Sequence, residues 1–425
     1  MKLREEKKPM ITIPLDLPEV RVLETEVTAS GDFVITVEST VGSTRCRECG
    51  RETGEFHSYD RWINLRHLPI LDRAVWIRLR PKRYRCPWCS NHPTTTQRLS
   101  WYEPGADKTT AYEPYLLVRL INSTIEDVSR KEQVGYEAVV GIVDRYLRRE
   151  VDWDEYDGLP TLGLDEIALK KGHRDFVVIA TVRQPDGRVS VLAVLPDRRK
   201  ETVKQFLRGI PGRLQKTIQT VCTDLYDGFV NAVKEELPEA TVVADRFHVA
   251  KKYRDCADQL RKQEIKRLKK ELPEPEYEQI KGAMWPFRKS PDDLTPEEAA
   301  LLERLFTHSP SLHQAYQLRD QLTAIFDQDL TKAEATEQLR EWQQRVSDRG
   351  LTCFDSFLTM LENWMDEITN YFLNRDSSGF VEGINTKIKV LKRRCYGIFN
   401  LGHLFQRLFL DLEGYRLFAK PAWEG

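Results

Sequence analysis

Two Cys-x-x-Cys pairs constrain the N-terminal part of the chain more than any other feature. Cys46 and Cys49 form the first pair, Cys86 and Cys89 the second, and glycine, proline or charged residues lie beside each pair. Four thiolates at this spacing can surround one tetrahedral ion, so the pairs predict a closed, structural Zn²⁺ site. The alternatives are four unliganded cysteines, or His92 as a substitute ligand. A closed site has no open coordination position, which favours a folding role over a catalytic one.

Composition limits the class of protein. The 425 residues include 65 Lys and Arg and 66 Asp and Glu, and 40% are hydrophobic. This length and balance predict a globular protein of two to four domains. No run of about 18 apolar residues is present, and the charged start, residues 1–8, lacks a following apolar stretch. We therefore expect no membrane span and no secretory signal, and a cytoplasmic location.

The hydrophobic pattern changes several times along the chain. Alternation over residues 20–39, interrupted at Ser30-Gly31-Asp32, predicts a β-hairpin that leads into the zinc module. Helical periodicity follows at 115–122, 124–131 and 136–149, and predicts a helix-turn-helix. Its last helix would present Tyr136, Glu137, Arg145 and Arg148 to a DNA major groove. Two helices packed around a turn without DNA contacts are the alternative.

The next segment alternates strands and helices. Apolar runs at 162–169, 176–182 and 189–195 predict an antiparallel meander. A helix, a strand, a helix and a strand follow up to residue 244, and this order is that of a ribonuclease-H-like domain whose last two strands are parallel. Residues from 250 to about 372 have a helical pattern throughout, and two further helical stretches follow at 381–394 and 396–418.

These patterns predict a multidomain α+β protein. The expected parts are a β-hairpin with a zinc ribbon (1–100), a helix-turn-helix (101–155), the first part of a ribonuclease-H-like α/β catalytic domain (156–250), an all-helical insertion (251–375) and C-terminal helices that complete the catalytic domain (376–425).

Three acidic residues form the candidate catalytic centre. Asp165 and Asp224 each lie at the end of an apolar strand, where they could meet at one sheet edge. The third candidate is Glu382, which shares a helical stripe with Asn385 and Lys389. Such a set can hold two Mg²⁺ ions for phosphoryl transfer. The alternatives are turn-forming aspartates and an ordinary solvated helix face.

Other polar residues lie near this predicted centre in the sequence. Asp245 and His248 follow the last strand, and His248 could hydrogen-bond a phosphate or serve only a structural role. Basic residues cluster at 251–270 and again near the third acid. The second cluster predicts a salt-sensitive track for a phosphate backbone, with a solvated helix face as the alternative. It consists of Lys387, Lys389, Lys392, Arg393 and Arg394.

Several of these segments together resemble one family. The matching segments are the paired cysteines, Gly163-Leu-Asp-Glu with Lys171-Gly-His173, the segment 243–249 (VADRFHV), the segment 382–389 (EGINTKIK) and the segment 393–397 (RRCYG). Together they are similar to bacterial insertion-sequence transposases of the ISL-three family. The similarity extends over nearly the whole chain. It implies a DDE transposase whose metal-binding triad is Asp165, Asp224 and Glu382.

The resemblance also implies partners and chemistry. The family's aspartate-two-residues-histidine element falls on Asp245 and His248, and the zinc and helix-turn-helix modules would recognise the terminal inverted repeats. We expect Mg²⁺-dependent cleavage at the element's ends, then attack of the freed 3′-hydroxyl on target DNA, by a dimer or larger assembly near the bacterial nucleoid. The alternatives are a non-catalytic DNA-binding protein derived from a transposase and a metal nuclease without strand transfer.

Overall fold

A computed structural model describes residues 13–168, 176–375, 379–395 and 400–419. The side chains of Val381 and Glu382 lie outside this description. The predicted turn at His173-Arg174 and the segment Lys171-Gly-His173 lie outside it too, as do residues 396–399. The chain divides into two compact units. One comprises the described residues up to Tyr146 and those from Glu413 onward, and the other is Leu147–Leu412.

The first unit contains nine described strands and three described helices. The strands are β1 (Val20–Val27), β2 (Phe33–Ser39), β3 (Thr44–Arg45), β4 (Glu52–Thr53), β5 (Glu55–Tyr59), β6 (Ile63–Ile70), β7 (Arg73–Leu79), β8 (Lys82–Arg85) and β9 (Thr94–Thr96). The helices are α1 (Tyr112–Leu120), α2 (Ile125–Glu132) and α3 (Tyr136–Tyr146).

The predicted hairpin of β1 and β2 belongs to a larger sheet. The four strands have the order β1-β2-β7-β6, and β2 pairs with β7 in parallel. Alternate side chains of β2 and β7 bury one face of this sheet, where Val37, Ile77 and Leu79 contact Trp101 and its neighbours. The remaining strands form two small sheets, β3-β4 and β5-β8-β9, around the cysteine pairs.

The three helices of the first unit follow the predicted pattern with shifted ends. Thr124 caps α2, since its side chain accepts a hydrogen bond from the backbone N–H of Asp127 at 2.9 Å. Gln133, at φ 54°, ends α2 in the left-handed conformation, and α3 begins three residues later. Buried Val128, Val139 and Ile142 lie on the inner faces. The predicted sequence of helix, tight turn and helix is therefore present.

The second unit contains five described strands and thirteen described helices. Its first half comprises β10 (Thr161–Ala168), β11 (Phe176–Arg183), β12 (Val189–Leu195), α4 (Lys200–Gly209), α5 (Gly212–Gln215), β13 (Thr220–Thr223), α6 (Asp227–Glu236) and β14 (Thr241–Ala244). Its second half comprises α7 (Arg246–Glu271), α8 (Glu274–Glu278), α9 (Pro296–His308), α10 (Pro310–Asp327), α11 (Lys332–Asp348), α12 (Asp355–Asn363), α13 (Met365–Thr369), α14 (Tyr371–Asn374), α15 (Gly379–Arg394) and α16 (Leu401–Phe418).

A five-stranded sheet of order β12-β11-β10-β13-β14 organises the second unit. The first three strands pair antiparallel, and β10-β13 and β13-β14 pair in parallel, as the sequence pattern predicts. Alternation along the strands gives the sheet two apolar faces. Leu164 and Val178 pack with the core that includes α4 and α6, whereas Ile167 and Ile179 pack against α15 and α16. Helices therefore cover both faces.

The predicted helical insertion packs around an apolar core that it shares with Cys222, Val243 and Ala244 of strands β13 and β14. The rings of Tyr253 and Phe354 stack with centroids 4.8 Å apart, and the buried Trp342 packs edge-on to Tyr253. The insertion is fastened to the edge strand β14, because the side chain of Asn370 donates to the backbone oxygen of Val242 at 2.8 Å. No described helix combines the length and hydrophobicity that crossing a lipid bilayer demands.

Candidate active site and zinc centre

Asp165 lies on the central strand β10 and faces helix α15. Leu162 and Leu164 occupy the opposite face of the strand, so the two-residue period turns Asp165 to the same side as Ile167. Asp165 is only 8% exposed. Burial, followed by the negative charge of Asp224, raises its pKa to about 7. One oxygen accepts the backbone N–H of Glu166 at 2.6 Å.

Three aspartates occupy one edge of the sheet. Leu164 pairs with Thr223, and Thr223 pairs with Ala244, in parallel ladders. An aspartate directly follows each of these three paired residues: Asp165, Asp224 and Asp245. Strands that run in the same direction end at the same edge, so the register itself brings the carboxylates together. The prediction that Asp165 ends its strand is wrong, because β10 continues to Ala168. Asp224 directly follows β13, and the parallel register still places Asp165 beside it.

His248 connects two of these acids. Its Nδ1 atom lies 2.6 Å from Asp224 Oδ1 and 3.1 Å from Asp245 Oδ2. Asp245 also caps helix α7, because it accepts the backbone N–H of Phe247 at 2.8 Å. The two carboxylates, Asp224 first, raise the pKa of His248 to about 10, and the imidazole is therefore protonated at neutral pH. One ligand atom from each of the three residues lies within 4.8 Å of the others, a spacing that could also hold a metal ion.

Helix α15 brings its polar stripe to the same place. The side chain of Asn385, which is buried, donates a hydrogen bond to Asp165 Oδ2. Ile384 and Ile388 pack on the sheet beside it and fix the helix position. Glu382 lies on this helix one turn before Asn385, with its side chain outside the described residues. The structure therefore places the helix of the third predicted acid against the first.

The donor atoms of this site suit a hard divalent cation. Among the described residues, the buried Asn385 Oδ1 atom has no hydrogen-bond partner. Carboxylate and amide oxygens are among the ligands that Mg²⁺ takes in proteins. A cation would also offset the repulsion between Asp165 and Asp224, which helps to raise the pKa of Asp165.

The four predicted zinc ligands converge in the first unit. The Sγ atoms of Cys46 and Cys89 are 3.9 Å apart, and those of Cys49 and Cys86 are 3.7 Å apart. Zn–S bonds of about 2.3 Å in a tetrahedron require S···S distances of about 3.8 Å. His92 turns its Nδ1 atom to the backbone oxygen of Cys86, at 3.1 Å. All four thiols, and not His92, form the cluster that fits a zinc ion.

The predicted DNA-contacting residues of the helix-turn-helix have varied surroundings. Tyr136, at the start of α3, is 46% exposed. Arg145, on the same helix, forms an ion pair of 2.6 Å with Glu113. In the second unit, Arg148 pairs with Asp152 at 2.7 Å. Two of the predicted cations are thus already partnered within the chain, and a DNA role for them remains a prediction.

The predicted basic track on α15 divides into two groups. Lys387 donates to the backbone oxygen of Asp411, and Lys392 donates to that of Ala168. Burial lowers the pKa of both lysines. Arg394 lies 3.6 Å from the Asp411 carboxylate. Lys389 and Arg393 are exposed and remain available to a ligand.

Sequence reasoning missed two parts of this site. It placed Asn385 on a polar stripe, but gave no sign that the amide bonds to Asp165. It also placed Asp245 at the sheet edge without showing that the carboxylate divides its oxygens between the α7 N-terminus and His248. The spacing of Asp245 to the N–H of residue 247 is typical of a helix cap, and this signal was available.

A ribbon of four cysteines and a carboxylate-lined sheet edge define a zinc-ribbon protein with a candidate metal-dependent catalytic centre. Comparisons with known proteins identify the group. A family model described as a transposase, of the ISL-three type, matches residues 162–408, and a second, described as the zinc-finger of transposase IS204/IS1001/IS1096/IS1165, matches residues 42–89. The chain belongs to the ISL-three family of insertion-sequence transposases.

Curated relatives extend the similarity over most of the chain. The transposase for insertion sequence element IS1001 of Bordetella parapertussis is 27% identical over 373 residues, which cover 87% of this chain and 89% of the relative. The transposase for insertion sequence element IS1557 of Mycobacterium tuberculosis is 26% identical over 395 residues, which cover 88% of this chain and 86% of the relative. The predicted family is confirmed, and so is the zinc-ribbon module.

Proposed function

We propose that this protein binds the terminal inverted repeats of an insertion sequence and catalyses Mg²⁺-dependent DNA strand cleavage and strand transfer. Its catalytic domain would be ribonuclease-H-like, with Asp165, Asp224 and Glu382 as the metal-binding triad. The zinc ribbon and the helix-turn-helix would bind the element's ends. Because two ends must be joined to one target, the working form would be a dimer or larger assembly on DNA, close to the nucleoid.

One observation carries this proposal. Two aspartates follow paired residues on adjacent parallel strands, and the helix that bears Glu382 is held against the first of them by Asn385. Burial opposes ionisation of Asp165, so the fold retains a carboxyl group at a position that costs stability at neutral pH. Perturbed acids in such a cluster are characteristic of functional sites.

The reaction would proceed by two in-line displacements. Water would attack the phosphodiester at the element's end, the P–O bond would break, and a 3′-hydroxyl would be released. This hydroxyl would then attack a phosphodiester of the target, forming a new P–O bond as the target's own P–O3′ bond breaks and releases a target 3′-hydroxyl. When bound, Mg²⁺ supplies Lewis acidity to phosphate oxygens and lowers the pKa of the attacking hydroxyl. The carboxylates of Asp165, Asp224 and Glu382 would hold the ion, and no covalent enzyme nucleophile is needed.

His248 would act as a positioning residue in this centre. Its Nδ1 atom lies within ion-pair distance of both Asp224 and Asp245, so the imidazole would hold the Asp224 carboxylate near Asp245. Since Asp245 caps the start of α7, these ion pairs would also connect the acidic edge to the helical insertion. The predicted alternative, direct contact of His248 with a scissile phosphate, requires the other ring nitrogen.

Substitution of the three acids tests the proposal. Asp165→Asn, Asp224→Asn and Glu382→Gln should each abolish cleavage of a plasmid that carries the element's ends in Mg²⁺, whereas gel-shift binding to the same ends persists. Glu239→Gln, on an exposed turn of the same unit, is the matched control and should cleave normally. Cleavage by the three variants at the wild-type rate would refute the enzyme.

The same assay separates the rival functions. Binding of the ends without cleavage by the wild type would favour a DNA-binding protein derived from a transposase. Cleavage without joined products in a plasmid target would favour a plain metal nuclease. Joined products that depend on all three acids are the result that we expect.

A further inference from the structure

A cleft of about 370 Å³ in the first unit is lined by four arginines, and we call it the arginine cleft. The four are Arg47, Arg61, Arg83 and Arg98. They come from four separate segments: the first cysteine turn, the loop after β5, strand β8 and the segment after β9. The cleft lies at the edge of the β5-β8-β9 sheet and is separate from the acidic centre of the second unit.

The arginine cleft has one negatively charged residue for its four guanidinium groups. Within the described ranges, none of the four guanidinium groups lies within ion-pair distance of a carboxylate. Asp60 is the one acid that lines the cleft. Its oxygens are already engaged, because it accepts the hydroxyl of Thr96 at 2.6 Å and the backbone N–H of Arg61 at 2.8 Å. The four arginines carry four positive charges and Asp60 carries one negative charge, so the arginine cleft has a net positive charge.

Threonines on β9 hold the wall of the cleft in shape. The side chain of Arg83 donates from Nη2 to Thr94 Oγ1 at 2.7 Å, and its buried Nε–H group has no acceptor in the described chain. The backbone N–H of Arg47 donates to Thr95 Oγ1 at 3.1 Å. These contacts fix the backbone around two of the arginines before any ligand arrives, which lowers the entropy cost of binding.

The surrounding module is strongly basic, in contrast to the whole chain. Residues 45–98 contain twelve Arg or Lys and five Asp or Glu, whereas the complete chain has a net charge of −1. A Zn²⁺ tetrathiolate of charge −2 leaves this segment well above neutrality. Segregated positive charge on one module is the electrostatic footprint of a nucleic-acid-binding surface.

We propose that the arginine cleft binds the phosphate backbone of duplex DNA, and that it contributes more of the salt-dependent affinity than Arg145 and Arg148 do. This proposal rests on the proposed function, since it names the surface that would hold the transposon DNA. The planar guanidinium forks suit phosphate oxygens, and each cation that neutralises a phosphate releases counterions from the DNA. A cation that is already ion-paired must first give up its carboxylate, which makes phosphate binding less favourable. Contacts to phosphates position the protein and carry no sequence information.

The test is the salt dependence of DNA binding. Full-length, zinc-loaded protein is titrated into a fluorescent 30-base-pair duplex of random sequence between 50 and 200 mM KCl. The triple variant Arg47→Gln, Arg61→Gln, Arg98→Gln should lower the slope of log K against log salt by about 2 to 3, since each lost phosphate contact removes about 0.9. Each single substitution should lower it by about 0.9 or less.

Arg21→Gln is the matched control, because Arg21 is exposed in the same unit but paired with Glu38. It should leave the slope unchanged. Zinc content near one per chain shows that the ribbon is folded, and the single variants replace the triple if zinc is lost. If all variants have the wild-type slope, the arginine cleft is not the phosphate-binding surface, and the proposed function is unaffected. A wild type that binds no duplex would contradict the proposed function as well. Displacement of the duplex by inorganic phosphate at constant ionic strength would identify a small-anion site instead.

Discussion

Asp165 is the side chain with the greatest electrostatic cost in the candidate centre. It is buried beside Asp224, and only the hydrogen bonds from Glu166 and Asn385 and the charge of His248 favour its ionised form. Burial dominates, so its pKa rises from 3.8 to about 7. The pKa of Asp165 is higher in the folded state than in the unfolded state. The free energy of unfolding of the metal-free protein therefore decreases as the pH rises from about 4 to about 7, and it stays at the lower value at higher pH.

Asp165→Asn should therefore stabilise the metal-free protein at pH 8. The expected gain is on the order of a few kcal/mol at pH 8, since one pKa unit corresponds to about 1.4 kcal/mol, and it should shrink toward pH 4. Urea unfolding in EDTA, at both pH values, measures it. Added Mg²⁺ should raise the wild-type Tm at pH 8 and leave the variant nearly unchanged. An equal response of both proteins to Mg²⁺ would contradict an ion at Asp165.

Asn385→Ala should weaken cleavage by about 10- to 100-fold, the usual effect of removing a partner that orients a metal ligand. The amide donates to Asp165 and does not change the charge of the site. The loss should be partly recovered by higher Mg²⁺ concentrations, which a purely structural defect would not allow. Asn231→Ala, on the exposed face of α6, is the control. Wild-type Mg²⁺ dependence in Asn385→Ala would remove Asn385 from the centre.

At the scale of elements, the basic residues of helix α15 fall into a group bonded to the fold and a group exposed to solvent. Lys387 and Lys392 bond to backbone oxygens of the fold, whereas Lys389 and Arg393 point to solvent. Lys387→Met with Lys392→Met should lower the Tm, because two carbonyl oxygens lose a charged donor. Lys389→Gln with Arg393→Gln should keep the Tm and reduce affinity for duplex DNA. Thermal melts and anisotropy titrations of both pairs measure the contrast. Equal Tm losses in both pairs would contradict it.

The elements that local pattern determines were predictable. Runs of apolar residues located β10, β11 and β12, and the short turns between them implied antiparallel pairing. The parallel pairing of β2 with β7 was not predictable, because it joins residues about 40 positions apart across the zinc module. The hairpin pattern of β1 and β2 does not indicate which third strand pairs with β2 in the sheet. Only packing of the shared apolar face selects β7.

At the scale of the whole molecule, metal removal should affect the two units differently. Cys46→Ser should release about one zinc per chain and unfold the small sheets around the cysteines, which have little apolar core of their own. Leu147–Leu412 has separate cores and should stay folded. Calorimetry combined with zinc analysis should show that the unfolding transition of the first unit is lost and that of the second unit persists. The variant should also bind DNA more weakly. Loss of both transitions would contradict independent units.

The candidate centre was predictable in its acids but not in its supporting contacts. The apolar runs before Asp165 and Asp224 singled out these two acids, and the parallel register of β10 and β13 brings them together although β10 continues beyond Asp165. The ion pair of Arg145 depends on Glu113, whose position follows from helix packing. The arginine cleft unites four segments that no local pattern connects. Long-range assembly, which propensities do not encode, determines these features.

The order of the chain has a consequence for synthesis on the ribosome. Asp165 emerges long before α15, and the entire helical insertion is translated between them. A nascent or prematurely terminated chain that ends before Gly379 lacks Asn385, the amide partner of Asp165. Such a fragment leaves the acidic edge incomplete. Under the proposed function, translation through nearly the last helix would therefore be the final step in assembling the catalytic centre.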